Sequence, residues 1–152
     1  GIGKNALRQL VELECRNKGT VFQWLRGFYI VGNTTDGASI FSKIIRAAMA
    51  GEQSFPFTTG RNLYDFLDFE VFCSYVAHAV EQKSVTGIIN ICSGEPVRLS
   101  ERVEQFIREE NLGIKLAYGV FPSRPYDSKA IWGDSTKIDA IEVDRERDGK
   151  KK

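Results

Sequence analysis

Residues 20–31 read TVFQWLRGFYIV and are rich in aromatic and β-branched side chains. This composition predicts a buried strand, with an interruption near Arg26-Gly27. Residues 4–16, before it, carry apolar side chains at helical spacing, and residues 39–50, after the loop 32–37, do the same. A strand between two amphipathic helices is the repeating unit of an α/β fold, so this stretch predicts that fold class.

The same alternation continues along the chain. Short strands are predicted over residues 54–58, 64–67, 87–92 and 114–118. A third helix is predicted over 69–82, and a fourth begins at an N-cap serine, Ser100, and ends near 111. The charged segment 142–152 lacks an apolar period, which predicts a disordered tail.

Composition excludes several classes of protein. The chain has 152 residues, with 21 basic and 20 acidic side chains and a net charge of +1, so no field of one sign attracts nucleic acid or a membrane. Neither partner is expected. The three cysteines show no paired spacing and no basic-then-apolar leader begins the chain, which predicts a cytoplasmic location.

The cysteines and the single histidine also bear on chemistry. Cys73 and Cys92 fall in apolar patterns that predict buried side chains. With one histidine, His78, the chain has too few ligands to group around zinc, so no metal is expected. His78 lies in the middle of a predicted helix between two alanines, which argues against a Ser-His-Asp triad.

Six segments resemble, in the same order, the motifs of one enzyme family. They are GIGK (1–4), RGFYIVG (26–32), GRNLYDF (60–66), GIINICSGEP (87–96), RPYD (124–127) and WGDSTK (132–137). On these segments the chain resembles the C-terminal half of an extended short-chain dehydrogenase/reductase of the NAD-dependent epimerase/dehydratase (nucleotide-sugar) family.

The resemblance implies an α/β fold made of the C-terminal part of a Rossmann-like doubly wound sheet and the smaller α/β substrate-binding domain. Residues 1–35 are then the last part of the NAD(P)-binding Rossmann domain. Residues 36–141 are mainly the substrate-binding domain, with segments that return to the Rossmann sheet, and 142–152 are the tail. No Gly-rich phosphate turn lies between a strand and a helix, so the chain is expected to be a fragment that is inactive alone.

The resemblance also implies a reaction. The intact protein is expected to transfer hydride at a sugar carbon of a nucleotide sugar, with NAD or NADP as cofactor, and to form a homodimer. Lys4 matches the lysine of the family's Tyr-x-x-x-Lys motif, which holds the nicotinamide ribose and lowers the pKa of the tyrosine that moves the proton. Phe28 is expected near the nicotinamide, with a core aromatic as the alternative.

Two residues are expected to bind the substrate through the Arg-Pro-x-Asp motif. Arg124 would bind the pyrophosphate, and Asp127 would accept hydrogen bonds from the ribose diol. An ion pair on the surface is the alternative for both. Asn90 either contacts substrate or is a satisfied amide at a strand end.

The chain departs from the family pattern at two tyrosines. Tyr64 stands where the family often has a phosphate-binding arginine, and Arg61, three residues upstream, is expected to reach the phosphate instead. Tyr29 stands where a substrate-contacting asparagine is common, and Asp65 is expected to fix a turn. These departures leave open an alternative function, a non-catalytic cofactor-binding or regulatory relative of the same fold.

Overall fold

The computed structural model describes residues 1–122 and 126–149, the last two without their side chains. Over these residues the helices are α1 (Ile2–Asn17), α2 (Ile40–Met49), α3 (Phe69–Glu81), α4 (Leu99–Glu109) and α5 (Thr136–Gly149). The strands are β1 (Gln23–Gly27), β2 (Tyr29–Val31), β3 (Ser54–Pro56), β4 (Leu63–Asp68), β5 (Gly87–Ile91), β6 (Pro96–Arg98), β7 (Lys115–Ala117) and β8 (Ala130–Ile131). The predicted α/β class is confirmed, and β6 and β8 were not predicted.

The chain divides into two compact units. Unit 1 comprises residues 1–28, 70–92 and those from 133 onward, and contains the parallel pair β1–β5. Unit 2 comprises residues 29–69 and 93–132. In unit 2, β4 pairs in parallel with β2 and β8 and antiparallel with β6, while β3 pairs in parallel with β7.

The core of unit 2 forms around α2 and α4. On α2, Phe41, Ile44 and Ile45 lie at i, i+3 and i+4 and are buried, as the sequence predicts. The Ser39 side chain accepts a hydrogen bond from the backbone N–H of Ser42 at 3.1 Å and caps this helix. The whole buried cluster consists of Val31, Phe41, Ile44, Ile45, Ala47, Phe57, Val103, Phe106 and Ile114.

The prediction that Ser100 caps α4 is wrong, because this helix begins at Leu99 with Arg98 as its N-cap. The N–H groups of Leu99 and Ser100 donate instead to the backbone carbonyls of Asn62 (2.8 Å) and Gly60 (3.0 Å). Gly60 has φ of +65°, and a Cβ there would lie 2.7 Å from Ser100 Cβ. The backbone carbonyl oxygens of the turn at Gly60 therefore accept the hydrogen bonds that a capping side chain would otherwise accept.

The prediction of a disordered tail is also wrong, over residues 142–149, because α5 continues through them. Ile138 and Ile141 are buried, but two apolar residues are too few to produce a visible period. Two contacts to α3 hold the helix: Glu142 Oε1 lies 2.6 Å from His78 Nδ1, and Arg145 Nη1 lies 3.1 Å from Glu81 Oε2. Residues 150–152 lie outside the described residues.

The cysteines were predicted only in part. Cys92 is buried, as expected, whereas Cys73 is exposed on α3. The apolar pattern around Cys73 misled the prediction because α3 also exposes Phe69, Val71 and Val80. In the described part of the chain, no helix combines the length and the apolar character needed to cross a membrane.

Candidate functional site

A cavity of about 370 Å³ opens in unit 2 beside the two tyrosines that depart from the family pattern. We call it the tyrosine cavity. Its described lining residues are Tyr29, Ile30, Ser39, Ile40, Phe41, Tyr64, Phe66, Leu99 and Asp127. The structure thus brings together three of the residues predicted from the sequence: Tyr29, Tyr64 and Asp127.

The two tyrosines form a stacked pair. Their ring centroids lie 4.4 Å apart and their planes differ by 22°. Tyr29 pairs with Phe66 in the parallel register of β2 and β4, so Tyr64, two residues before Phe66, lies on the same face of the sheet. Tyr64 is almost buried, at 9% exposure, and its hydroxyl donates to the carbonyl oxygen of Ser128 at 3.2 Å.

The phenols of this pair stay protonated at neutral pH. Burial raises the pKa of Tyr29, and the negative charge of Asp127 raises it further. Burial is also the main cause that raises the pKa of Tyr64, followed by its neighbours Tyr29 and Asp127. The pair therefore offers neutral hydroxyl groups and aromatic faces, where the family often has an arginine and an asparagine.

A second cavity of unit 2, of about 220 Å³, has an aromatic lining, and we call it the phenylalanine cavity. Phe55 and Phe57 point to the same side of the chain because they are two residues apart in an extended segment. The lining residues are Ile40, Lys43, Phe55, Pro56, Phe57, Thr58, Phe121, Pro122 and Asp127. Asp127 and Ile40 line both cavities, so the two share a border at this carboxylate.

Asp65 lies within β4 and fixes the turn at residues 93–94, not the turn at 59–62 that precedes it in the sequence. Its carboxylate is fully buried and accepts hydrogen bonds from Ser93 N (2.8 Å), Ser93 Oγ (2.7 Å) and Gly94 N (3.0 Å). These bonds hold the segment that follows β5 and leads into β6. The residue thus serves the scaffold of unit 2 and lines neither cavity among the described residues.

Of the two arginines expected to bind phosphate, only Arg61 lies among the described residues. Arg61 is exposed and is not among the described residues that line either cavity. Arg124 lies outside the described residues. Their phosphate contacts therefore stay predictions.

Unit 1 contains the other predicted site residues. Asn90 accepts a hydrogen bond from Arg26 Nε at 3.0 Å and donates one to the carbonyl oxygen of Asp134 at 3.0 Å. These bonds favour the alternative in which Asn90 is a satisfied amide. Lys4 is exposed in the first turn of α1, and Phe28 is half-buried directly after β1.

Phe28 lies at the carboxyl end of the parallel strand pair of unit 1. Ligands of open α/β sheets bind at the carboxyl ends of parallel strands, and Phe28 and Cys92 directly follow the parallel pair β1 and β5. A Cβ on Gly133 would lie 2.5 Å from Cys92 Sγ and 2.9 Å from Phe28 Cε2, so only glycine allows the chain to pass there. The strand ends of unit 1 thus combine an aromatic ring with a closely packed backbone.

Sequence reasoning missed two features. The first is the phenylalanine cavity. Its signal in the sequence was the spacing of Phe55 and Phe57, which are two residues apart and therefore share a face of an extended segment. The other is a hydrogen-bonded row in unit 1, in which His78 lies 3.2 Å from Ser74 Oγ and 2.6 Å from Glu142 Oε1. No signal for this row exists in the sequence, because Glu142 falls in the segment predicted to be disordered.

Comparison with known proteins confirms the resemblance to the extended short-chain dehydrogenase/reductases of the NAD-dependent epimerase/dehydratase family. The chain is 42% identical over 134 residues to dTDP-6-deoxy-L-talose 4-dehydrogenase (NAD(+)) of Aggregatibacter actinomycetemcomitans. That match covers 88% of this chain and 49% of the relative, so the chain spans about half the length of the curated relative it matches. No family model matches the chain.

Solved structures share the fold at lower identity. UDP-glucose 4-epimerase of Thermotoga maritima with UDP-glucose gives a TM-score of 0.73 at 20% identity, over 92% of this chain and 45% of that one. UDP-N-acetylglucosamine 4-epimerase of Methanobrevibacter ruminantium M1, in complex with UDP-N-acetylmuramic acid, gives 0.71 at 20% identity, over 91% and 45%. These likenesses establish that the chain has the fold expected for part of a Rossmann-type epimerase.

Proposed function

We propose that this chain is the C-terminal part of an NAD(P)-dependent nucleotide-sugar enzyme that transfers hydride at a sugar carbon. The observation that carries the proposal is the position of Asp127 on the border of two cavities, one aromatic and one lined by the tyrosine pair. A nucleotide sugar has the matching order of parts: an aromatic base, a ribose diol and, beyond the diphosphate, a sugar.

In this proposal the base occupies the phenylalanine cavity. Phe55, which is partly exposed, and Phe121, which is exposed, offer aromatic surfaces on which a base can stack. The Asp127 carboxylate accepts hydrogen bonds from the ribose hydroxyls, and the sugar enters the tyrosine cavity. Because the relative of 42% identity is named for a dTDP-sugar, we take thymidine as the nucleoside.

The cofactor is assigned to unit 1. Lys4 would hold the nicotinamide ribose, and Phe28 would line the nicotinamide at the carboxyl edge of β1 and β5. A bound nicotinamide supplies the hydride acceptor or donor. In this proposal the Lys4 ammonium also lowers the pKa of the tyrosine expected immediately before Gly1, which moves the proton.

Two further parts of the proposal concern assembly and location. Among its residues α1 has none that is buried, and it exposes Ile2, Leu7, Leu10, Val11 and Leu13. An exposed apolar face of this kind is typical of a protein–protein interface, which supports the predicted homodimer. Arg124 as the pyrophosphate ligand and the cytoplasm as the location stay predictions.

We expect Asp127→Ala in the full-length protein to weaken binding of a dTDP-sugar about tenfold or more. A hydrogen bond to a charged group contributes about 1.5–3 kcal/mol, and each 1.4 kcal/mol is a factor of about ten in affinity. Isothermal titration calorimetry measures the change, and NAD binding should stay the same. Asp36→Ala is the matched control, because Asp36 is an exposed aspartate of the same unit that lines neither cavity. Equal loss in both variants, or no loss in either, would remove Asp127 from the site.

A further inference from the structure

A lysine from α2 lines the phenylalanine cavity. Lys43 is the fourth residue of this helix and lines the cavity together with the carboxylate of Asp127. In the described part of the chain its ammonium group takes part in no ion pair and no hydrogen bond. Arg46, three residues later, is engaged instead, because its guanidinium donates to the backbone carbonyl oxygens of Thr35 and Gly37. The positive charge of Lys43 is therefore available to a ligand.

The place of Lys43 on α2 brings it to the border of the two cavities. Ile40 lines both cavities, and Lys43, three residues later, lies on the same face of the helix. Side chains of an α-helix lean toward its N-terminus, so we expect the Lys43 side chain to lean toward Ile40. Asp127 also lines both cavities, so one side chain of each charge belongs to this border.

A nucleotide sugar that spans this border needs a positive charge there. With the ribose hydroxyls on Asp127 and the sugar in the tyrosine cavity, the diphosphate that joins them crosses the border. Its negative charges then lie close to the Asp127 carboxylate, and like charges repel. A lysine ammonium offsets this repulsion and donates charge-assisted hydrogen bonds to phosphate oxygens.

We propose that Lys43 binds the diphosphate of the nucleotide sugar. This inference rests on the proposed function, because it takes for granted that a nucleotide sugar binds across the two cavities of unit 2. It adds a phosphate ligand that the sequence motifs did not single out. Arg61, the arginine expected from the sequence to reach the phosphate, is not among the described residues that line either cavity.

The test measures binding of two probes to the full-length protein. Isothermal titration calorimetry gives the Kd of dTDP, and a ligand-observed NMR titration gives the Kd of thymidine, which is the same nucleoside without phosphate. We expect Lys43→Met to weaken binding of dTDP about tenfold or more, because the charged hydrogen bond is lost while an apolar stem of similar length is kept. Thymidine should bind this variant as tightly as it binds the wild-type protein.

Two further variants separate the charge from other effects. Lys43→Arg keeps a positive charge at this position and should recover part of the affinity for dTDP. Lys115→Met is the matched control, because Lys115 is an exposed lysine of the same unit that lines neither cavity. It should bind dTDP like the wild-type protein. NAD should bind every variant alike, because the cofactor is assigned to unit 1.

The outcomes distinguish this inference from the proposed function. A loss of affinity for dTDP in Lys43→Met, with wild-type binding of thymidine, supports the inference. Unchanged binding of dTDP in Lys43→Met overturns it. An equal loss for dTDP and thymidine also overturns it, because Lys43 would then contact the nucleoside or maintain the fold. Failure of dTDP to bind the wild-type protein overturns the proposed function, and this inference with it.

Discussion

We expect Lys4→Met in the full-length protein to lower kcat about 100-fold or more, with little effect on binding of the nucleotide sugar. In the proposed function, loss of the ammonium removes the charge that stabilises the phenolate of the tyrosine proposed to precede Gly1, and general acid–base catalysis contributes about 10²–10⁴ in rate. Lys4 is exposed on α1, so its loss should leave the fold intact. The rate is measured through the change in absorbance when the nicotinamide is reduced.

Lys18→Met is the matched control for this experiment. Lys18 follows the other end of α1 and lies 2.9 Å from Glu14 in an exposed ion pair, so its removal should leave kcat unchanged. A wild-type kcat in Lys4→Met would show that Lys4 is an ordinary surface lysine. The residue before Gly1 gives an independent check, because a phenylalanine there in place of tyrosine would favour the non-catalytic alternative.

The second large effect concerns stability. We expect Asp65→Ala to lower the free energy of unfolding by about 3–5 kcal/mol, as measured by urea denaturation. The Asp65 carboxylate is fully buried and accepts from Ser93 N, Ser93 Oγ and Gly94 N. Its removal leaves these donors without that acceptor, at a cost of about 1–3 kcal/mol for a group left unsatisfied.

The control for Asp65 lies in the same turn. Glu95 is exposed, and its backbone carbonyl accepts from Ser93 Oγ. Glu95→Ala keeps that carbonyl and should change the free energy of unfolding by about 0.5 kcal/mol or less. A loss below about 1 kcal/mol in Asp65→Ala would mean that water replaces the carboxylate without strain, and that the turn does not depend on this residue.

The helices were predicted best, because helix formation leaves a clear mark on the sequence. Apolar residues such as Phe41, Ile44 and Ile45 recur with the period of a helix, and the bounds of α2 follow from it. The end of the chain shows the limit of this signal. Ile138 and Ile141 anchor α5, but its remaining surface is charged, so that the sequence resembles a disordered tail.

The sequence predicted which residues belong to the site but not how their side chains are arranged. Tyr29, Tyr64 and Asp127 came from matching positions of a family, and that match says nothing about contacts that the family lacks. The stacking of the two tyrosines depends on the register in which Tyr29 pairs with Phe66. Strand register arises from tertiary packing, so the pair could not be inferred from the spacing of 35 residues in the chain.

The most direct test is a crystal structure of the full-length protein with NAD and a dTDP-sugar. We expect the thymine in the phenylalanine cavity, the ribose hydroxyls on the Asp127 carboxylate and the sugar in the tyrosine cavity. This expectation would be contradicted by a nucleotide sugar bound away from these residues, with both cavities of unit 2 filled by water.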